Sequence, residues 1–135
     1  MSYYSDVTIL AGRKAYEILA EAWGKDGLRP SLTKSIMKDE FVFIQFRQVD
    51  KIPHTELYNA LAGFEFCYNI EDRDCAMKAI VLHDSKTGNQ FSNDEGEKLF
   101  ADFDTTVCFV LPREIGEELK GVIPVVPVGA GMIGV

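Results

Sequence analysis

The chain is expected to form a single α+β domain over residues 1–135, and three observations predict it. Residues 41–49, Phe-Val-Phe-Ile-Gln-Phe-Arg-Gln-Val, are its densest aromatic and β-branched run, a composition that suits a buried, pleated strand. Strand-like and helix-like stretches interleave along the rest, which implies helices packed on a sheet. At 135 residues, with 47% hydrophobic and 26% charged side chains, the chain can bury a core of its own without a metal or disulfide staple.

Taken in order, Asp6 can cap a helix over 6–23, where Leu10, Ala11, Ala15, Ile18, Leu19 and Ala22 recur at helical spacing and Gly24 supplies a stop. Gly12 falls inside that helix and weakens it by about 1 kcal/mol unless another backbone packs closely there. Residues 24–39 carry turn formers and mixed signals, compatible with a short docking helix or a first edge strand. Along 41–49, Phe41, Phe43 and Gln45 point to one face and Val42, Ile44 and Phe46 to the other. Both faces begin apolar, so both need cover. Pro53 opens a helix over 54–62 that Gly63 ends, with Leu57, Tyr58 and Leu61 inward.

The run 64–70 alternates strictly and reads as a strand; 76–83 is a second, strongly apolar one, followed by a turn at 84–89. Ser92-Asn93-Asp94-Glu95 has the capping-box spacing, and Leu99, Phe100 and Phe103 form the apolar edge of its helix. A strand at 105–111 precedes a helix opened by Pro112, with Ile115 and Leu119 inward and Glu114, Glu117 and Glu118 outward. From 40 to 111 this spells strand, helix, strand, strand, helix, strand, the order of the ferredoxin-like, or split βαβ, arrangement. The 6–23 and 112–120 helices are then extra elements that cover the sheet's open face. A competing reading pairs 76–83 with 90–91 as a hairpin and lengthens the antiparallel meander.

Net charge is −7 with a pI of about 4.8, which disfavours a nucleic-acid partner. Cys67, Cys75 and Cys108 form no C-x-x-C pair and read as buried free thiols of a reducing compartment. The first residues lack a basic start and an apolar run, and no stretch is long enough to span a bilayer. The expected location is the cytoplasm or the inside of an assembled particle, with no membrane partner.

Several motifs fail on inspection. Gly129, Gly131 and Gly134 match G-x-G-x-x-G, but Pro127 interrupts the strand that must precede it, and neither the helix nor the ribose-binding acid follows. His83-Asp84-Ser85 resembles half of a paired histidine phosphoesterase signature, while His54-Thr55-Glu56 lacks the matching hydroxyl. Ser85 or Ser92 can be set beside a histidine on paper, yet no Gly-x-Ser-x-Gly elbow frames either. Glu71, Asp72, Asp74 and Asp84 could gather around Mg²⁺ or Ca²⁺ if strands 64–70 and 76–83 are neighbours, although Asp is ordinary turn chemistry. Phe43 and Phe66 could stack bases, but no basic residues interleave with them. No cofactor is expected.

The segment 122–135, Val-Ile-Pro-Val-Val-Pro-Val-Gly-Ala-Gly-Met-Ile-Gly-Val, contains no charged side chain. Left in water it exposes a contiguous apolar patch, and Pro124 and Pro127 restrict it to an edge strand or polyproline II. Its expected contact residues are Val122, Ile123, Val125, Val126, Val128, Met132, Ile133 and Val135. The leading expectation is a non-enzymatic assembly or structural protein, a homo-oligomer or a component of a larger particle such as a virion, held by this arm. The alternatives are an acidic inhibitor or immunity-type protein using Glu114, Glu117, Glu118 and the 71–74 turn, and a small phosphoesterase using His83.

Overall fold

The computed structural model describes residues 4–67, 72–83, 87–101, 103, 110–111, 113–119 and 126–127. β1 (Tyr4–Gly12) leads into α1 (Arg13–Lys25), followed by β2 (Leu32–Ile36), β3 (Phe41–Asp50), α2 (Glu56–Cys67), β4 (Met77–His83) and β5 (Thr87–Ser92). These five strands form one sheet of order β2-β3-β1-β4-β5, antiparallel at every pairing. Beyond them lie α3 (Asp94–Leu99), β6 (Val110–Leu111), α4 (Arg113–Glu118) and β7 (Val126–Pro127), with β6 and β7 paired in parallel. No helix among the described residues is long and apolar enough to cross a membrane.

The helix expected over 6–23 is instead a strand and a helix joined at Gly12. Residues 7–11, Val-Thr-Ile-Leu-Ala, are buried on both faces in the middle of the sheet. A short apolar run has no clear period, so helix and strand look alike in sequence. Gly12 marks the joint: a Cβ there would lie 2.5 Å from the carbonyl oxygens of both Arg73 and Asp74. The close backbone packing that could excuse this glycine is therefore present. Residues 24–39 resolve as the edge-strand alternative, with β2 on the outside of β3.

A second correction concerns 64–70. α2 continues through Cys67, so 64–67 are helical; 68–70 lie outside the described residues. Leu57, Leu61 and Phe64, at i, i+4 and i+7, are buried against the sheet as one helical stripe. β5 then pairs with β4 across Lys78↔Ser92 and Ala79↔Phe91, the hairpin of the competing reading. The sheet is thus built from residues 4–92 rather than from 40–111, and β6 lies outside it.

Both faces of the sheet are covered, as the doubly apolar β3 requires. Val42, Ile44 and Phe46 share one face with Val7, Ile9, Met77, Ala79 and Val81, under α1 (Ala15, Leu19, Trp23) and α2. Trp23 meets the Phe46 ring edge-on at 5.1 Å. Phe41 and Phe43 share the opposite face with Leu10 and Ile80, under Phe100, Phe103, Ile115 of α4 and Leu119 just after it. Each such large apolar side chain contributes about 2–3 kcal/mol when buried. α1 and α4 both cover the sheet, but from opposite sides.

The β2–β3 turn is held from outside. Met37, Lys38 and Asp39 all have positive φ, 52°, 56° and 65°, a conformation that costs an L-residue roughly 1–2 kcal/mol. Arg13 donates to the Asp39 carbonyl and to Ser35 Oγ, each at 2.8 Å. The Glu118 carboxylate at the end of α4 accepts the Met37 N–H, with both oxygens at 2.8 Å. The first and last described helices thereby clamp one hairpin.

Candidate functional site

Two places carry expected chemistry, the apolar arm and the surroundings of His83, and a third, an ion pair between buried Lys78 and half-exposed Glu97, was not expected. Of the arm, Val126 and Pro127 are described. They pair in parallel with Val110 and Leu111 and lie against α4, which is itself fixed to the sheet by Ile115 and Leu119. Val122, Ile123, Val125, Val128, Met132, Ile133 and Val135 lie outside the described residues, as do the three glycines of the G-x-G-x-x-G letters.

His83 ends β4, where the register sets it opposite Ser5 of β1. Ser5 Oγ is 2.8 Å from His83 Nδ1, a serine and histidine in hydrogen-bond contact of the kind used in nucleophilic catalysis. Ser5 is only 2% exposed, so its hydroxyl is enclosed by the sheet rather than presented to a substrate. The bond ties the central strand to β4. Sequence adjacency suggested Ser85 and Ser92 as partners; strand register, invisible in sequence, supplied Ser5. Asp84 and Ser85 lie outside the described residues. Ser92 is engaged elsewhere, donating to Glu97 Oε1 at 2.7 Å, and His54 is exposed at the end of a 3-10 turn, Ile52–His54.

The polar cluster that sequence reasoning missed is centred on Lys78. Its side chain is 3% exposed, and Nζ lies 3.2 Å from Glu97 Oε2, whose side chain is 49% exposed. Gln90 also donates to Glu97 Oε1, at 3.3 Å. The signal was a lysine inside the apolar run Met77-Lys78-Ala79-Ile80-Val81, a residue that is buried only when paired. Burial pushes the Glu97 carboxyl up, but the hydrogen bonds from Ser92, Lys78 and Gln90, with the Lys78 charge, hold it below its ordinary value of 4.5.

A carboxyl with a depressed folded-state pKa stabilises the fold above the unfolded-state value, and that contribution is lost as pH falls through the folded value. Glu97→Gln should therefore cost about 2 kcal/mol near neutrality, less than a fully enclosed pair because water reaches this carboxylate. The gap between variant and parent in urea unfolding should narrow as pH falls below the ordinary carboxylate range and Glu97 takes up its proton. An equal gap at pH 3 and pH 7 would show that the charge on Glu97 is not what holds Lys78.

Several acidic residues are engaged within the chain. Asp72 accepts the Asp74 N–H at 2.9 Å and faces Lys14 Nζ at 3.5 Å. Glu40 accepts from Arg73 at 2.6 Å, a hydrogen bond that holds its carboxyl below the usual range. Arg73 also lies over the Phe41 ring, 5.3 Å from its centroid. The α4 glutamates Glu114, Glu117 and Glu118 are all exposed, and Glu118 also accepts the Met37 amide N–H. Among the described residues, no three His, Cys, Asp or Glu side chains come together to hold a metal; Glu71 and Asp84 lie outside them.

Cys75 is a buried free thiol, pushed up in pKa first by burial and then by the nearby Asp72 charge. The side chain of Cys67 and all of Cys108 lie outside the described residues. No protein family model, curated protein or solved structure matches the chain.

Proposed function

We propose that the chain is a structural subunit that assembles, with copies of itself or within a larger particle such as a virion, through the arm 122–135. What supports this reading is the charge-free apolar sequence of 122–135 together with a sheet whose two faces are both covered. Both sheet faces are occupied by helix-borne side chains from α1, α2 and α4 and by Phe100 and Phe103. Among the described residues, Tyr4 is the large hydrophobic side chain left exposed, so apolar contact with another subunit falls to the arm. Val122, Ile123, Val125, Val126, Val128, Met132, Ile133 and Val135 are its proposed contact residues.

On this reading the platform is a ferredoxin-like unit over 4–83, extended by β5. The support is the succession β1-α1-β2-β3-α2-β4 with strand order β2-β3-β1-β4. The test compares the solution mass of the full chain with that of a chain ending at Lys120, by light scattering over a concentration series. The full chain is expected to give multiples of 15.1 kDa and the shorter one a folded single subunit. A full chain that remains single at every concentration, alone or from native source, would remove the assembly reading.

A further inference from the structure

The β2–β3 tip carries more strain than its turn explains. Ile36 pairs with Phe41, so residues 37–40 are the whole connection, and the Glu40 N–H donates to the Met37 carbonyl at 3.1 Å. A tight hairpin turn uses positive φ at its two central residues, here Lys38 at 56° and Asp39 at 65°, because that twist matches the flanking strands. Met37 precedes them, where the turn makes no such demand, yet its φ is 52°. For a long side chain without glycine's freedom or an asparagine-like local bond, that conformation is an outlier. It persists only where the surroundings hold it.

The hold is divided among separate elements. Arg13 of α1 serves Asp39 and Ser35, and Arg73 serves Glu40. The Met37 N–H goes instead to Glu118, shared between both carboxylate oxygens at 2.8 Å. The Met37 side chain packs against the apolar cluster that contains Ile115 and Leu119. Those two residues flank Glu118 in sequence and seat α4 on the sheet, so the carboxylate reaches Met37 only while α4 is seated. A hydrogen bond to a charged acceptor is comparable in strength with the strain of one left-handed residue, so neither the tip nor the seat overwhelms the other.

We infer that Met37 is a two-state latch, left-handed while α4 is seated and relaxed to negative φ when α4 lifts. The coupling runs both ways. Lifting α4 reshapes the exposed tip at Lys38 and Asp39, and anything that binds the relaxed tip loosens the cover over Ile36, Phe41 and Phe43, which share a cluster with Ile115 and Leu119. No residue of the arm takes part, so the latch and the assembly reading stand or fall separately.

The test is nuclear magnetic resonance on the isotope-labelled full-length chain. Positive φ brings the amide and α protons of one residue close together, which reports the state of the tip. Seating of α4 is followed by hydrogen exchange at the Leu119 amide, which donates to the Ile115 carbonyl at 3.1 Å. In Glu118→Ala the short proton distance is expected to vanish at Met37 and to persist at Lys38 and Asp39, with Leu119 exchanging about fivefold faster or more. Met37→Pro, which excludes positive φ and removes the N–H, should speed Leu119 to a similar degree. The double variant should be no faster than the faster single one, since both changes open the same latch. Should Met37→Pro fail to fold, Glu118→Ala decides alone. A short proton distance kept at Met37 in Glu118→Ala overturns the latch, because the turn then holds Met37 by itself. Unchanged Leu119 exchange in that variant, or accelerations that multiply in the double variant, overturns the coupling between tip and α4.

Discussion

Gly96→Ala should destabilise the protein by about 3 kcal/mol, the upper end of what a small-to-large change in a packed site costs. Gly96 is buried in α3, and a Cβ built on it collides with the carbonyl group of Met77, a backbone atom pair that cannot rotate away. Relief requires α3 to lift from the start of β4, which draws Glu97 away from Lys78 and uncovers the buried ammonium. The change should be read as a drop in the urea midpoint at constant slope. Gly24→Ala is the control: nothing lies within 4 Å of its added Cβ, and in α1 the substitution should stabilise by up to about 1 kcal/mol. Equal effects at the two glycines would contradict the close approach of α3 to β4.

Asn93→Ala should cost on the order of 3 kcal/mol. Asn93 is 3% exposed and caps α3 by accepting the Gly96 N–H at 2.9 Å. The same oxygen accepts the Met77 N–H at 3.1 Å, and the side-chain amide donates to the Cys75 carbonyl at 2.7 Å. Alanine leaves two donors and one acceptor without these partners in a buried site, and such orphaned groups cost more than the net worth of a bond. Asn93→Asp keeps the acceptor and the size but sets a carboxylate against the Cys75 carbonyl. It should recover less than half of the loss at neutral pH. Full recovery in the aspartate variant would show that the cap alone matters and the Cys75 bond does not.

These two residues also show how far the sequence was legible. The spacing around Ser92 announced a helix start, yet the cap is Asn93, because β5 holds Ser92 in register with Lys78. Local polarity found the turn; sheet pairing chose the residue. Ile115 and Leu119 were readable as the inward side of α4, and the alternation along β3 gave both faces of the sheet correctly, since each follows from a clear period. Three things had no local signal. β1 is too short and too apolar to show a period, the continuation of α2 into 64–67 imitates alternation, and Ser5 meets His83 only through strand register. Lys78 was visible as a charge in an apolar strand, but its partner Glu97 sits on another element.

The position of β1 has a consequence for how the protein is made. The first described strand is the centre of the sheet, and it lacks both neighbours while it is being synthesised. Leu10 pairs with Phe43 on one side and Ile9 with Ala79 on the other, so the second partner arrives about seventy residues later. At roughly 5–20 residues per second, the nascent Val-Thr-Ile-Leu-Ala segment waits several seconds with its backbone and side chains uncovered. Two of the sheet's four pairings, β1 with β3 and β1 with β4, join strands far apart in the chain, which slows closure. Residues 7–11 therefore have their full set of native neighbours only after β4 emerges.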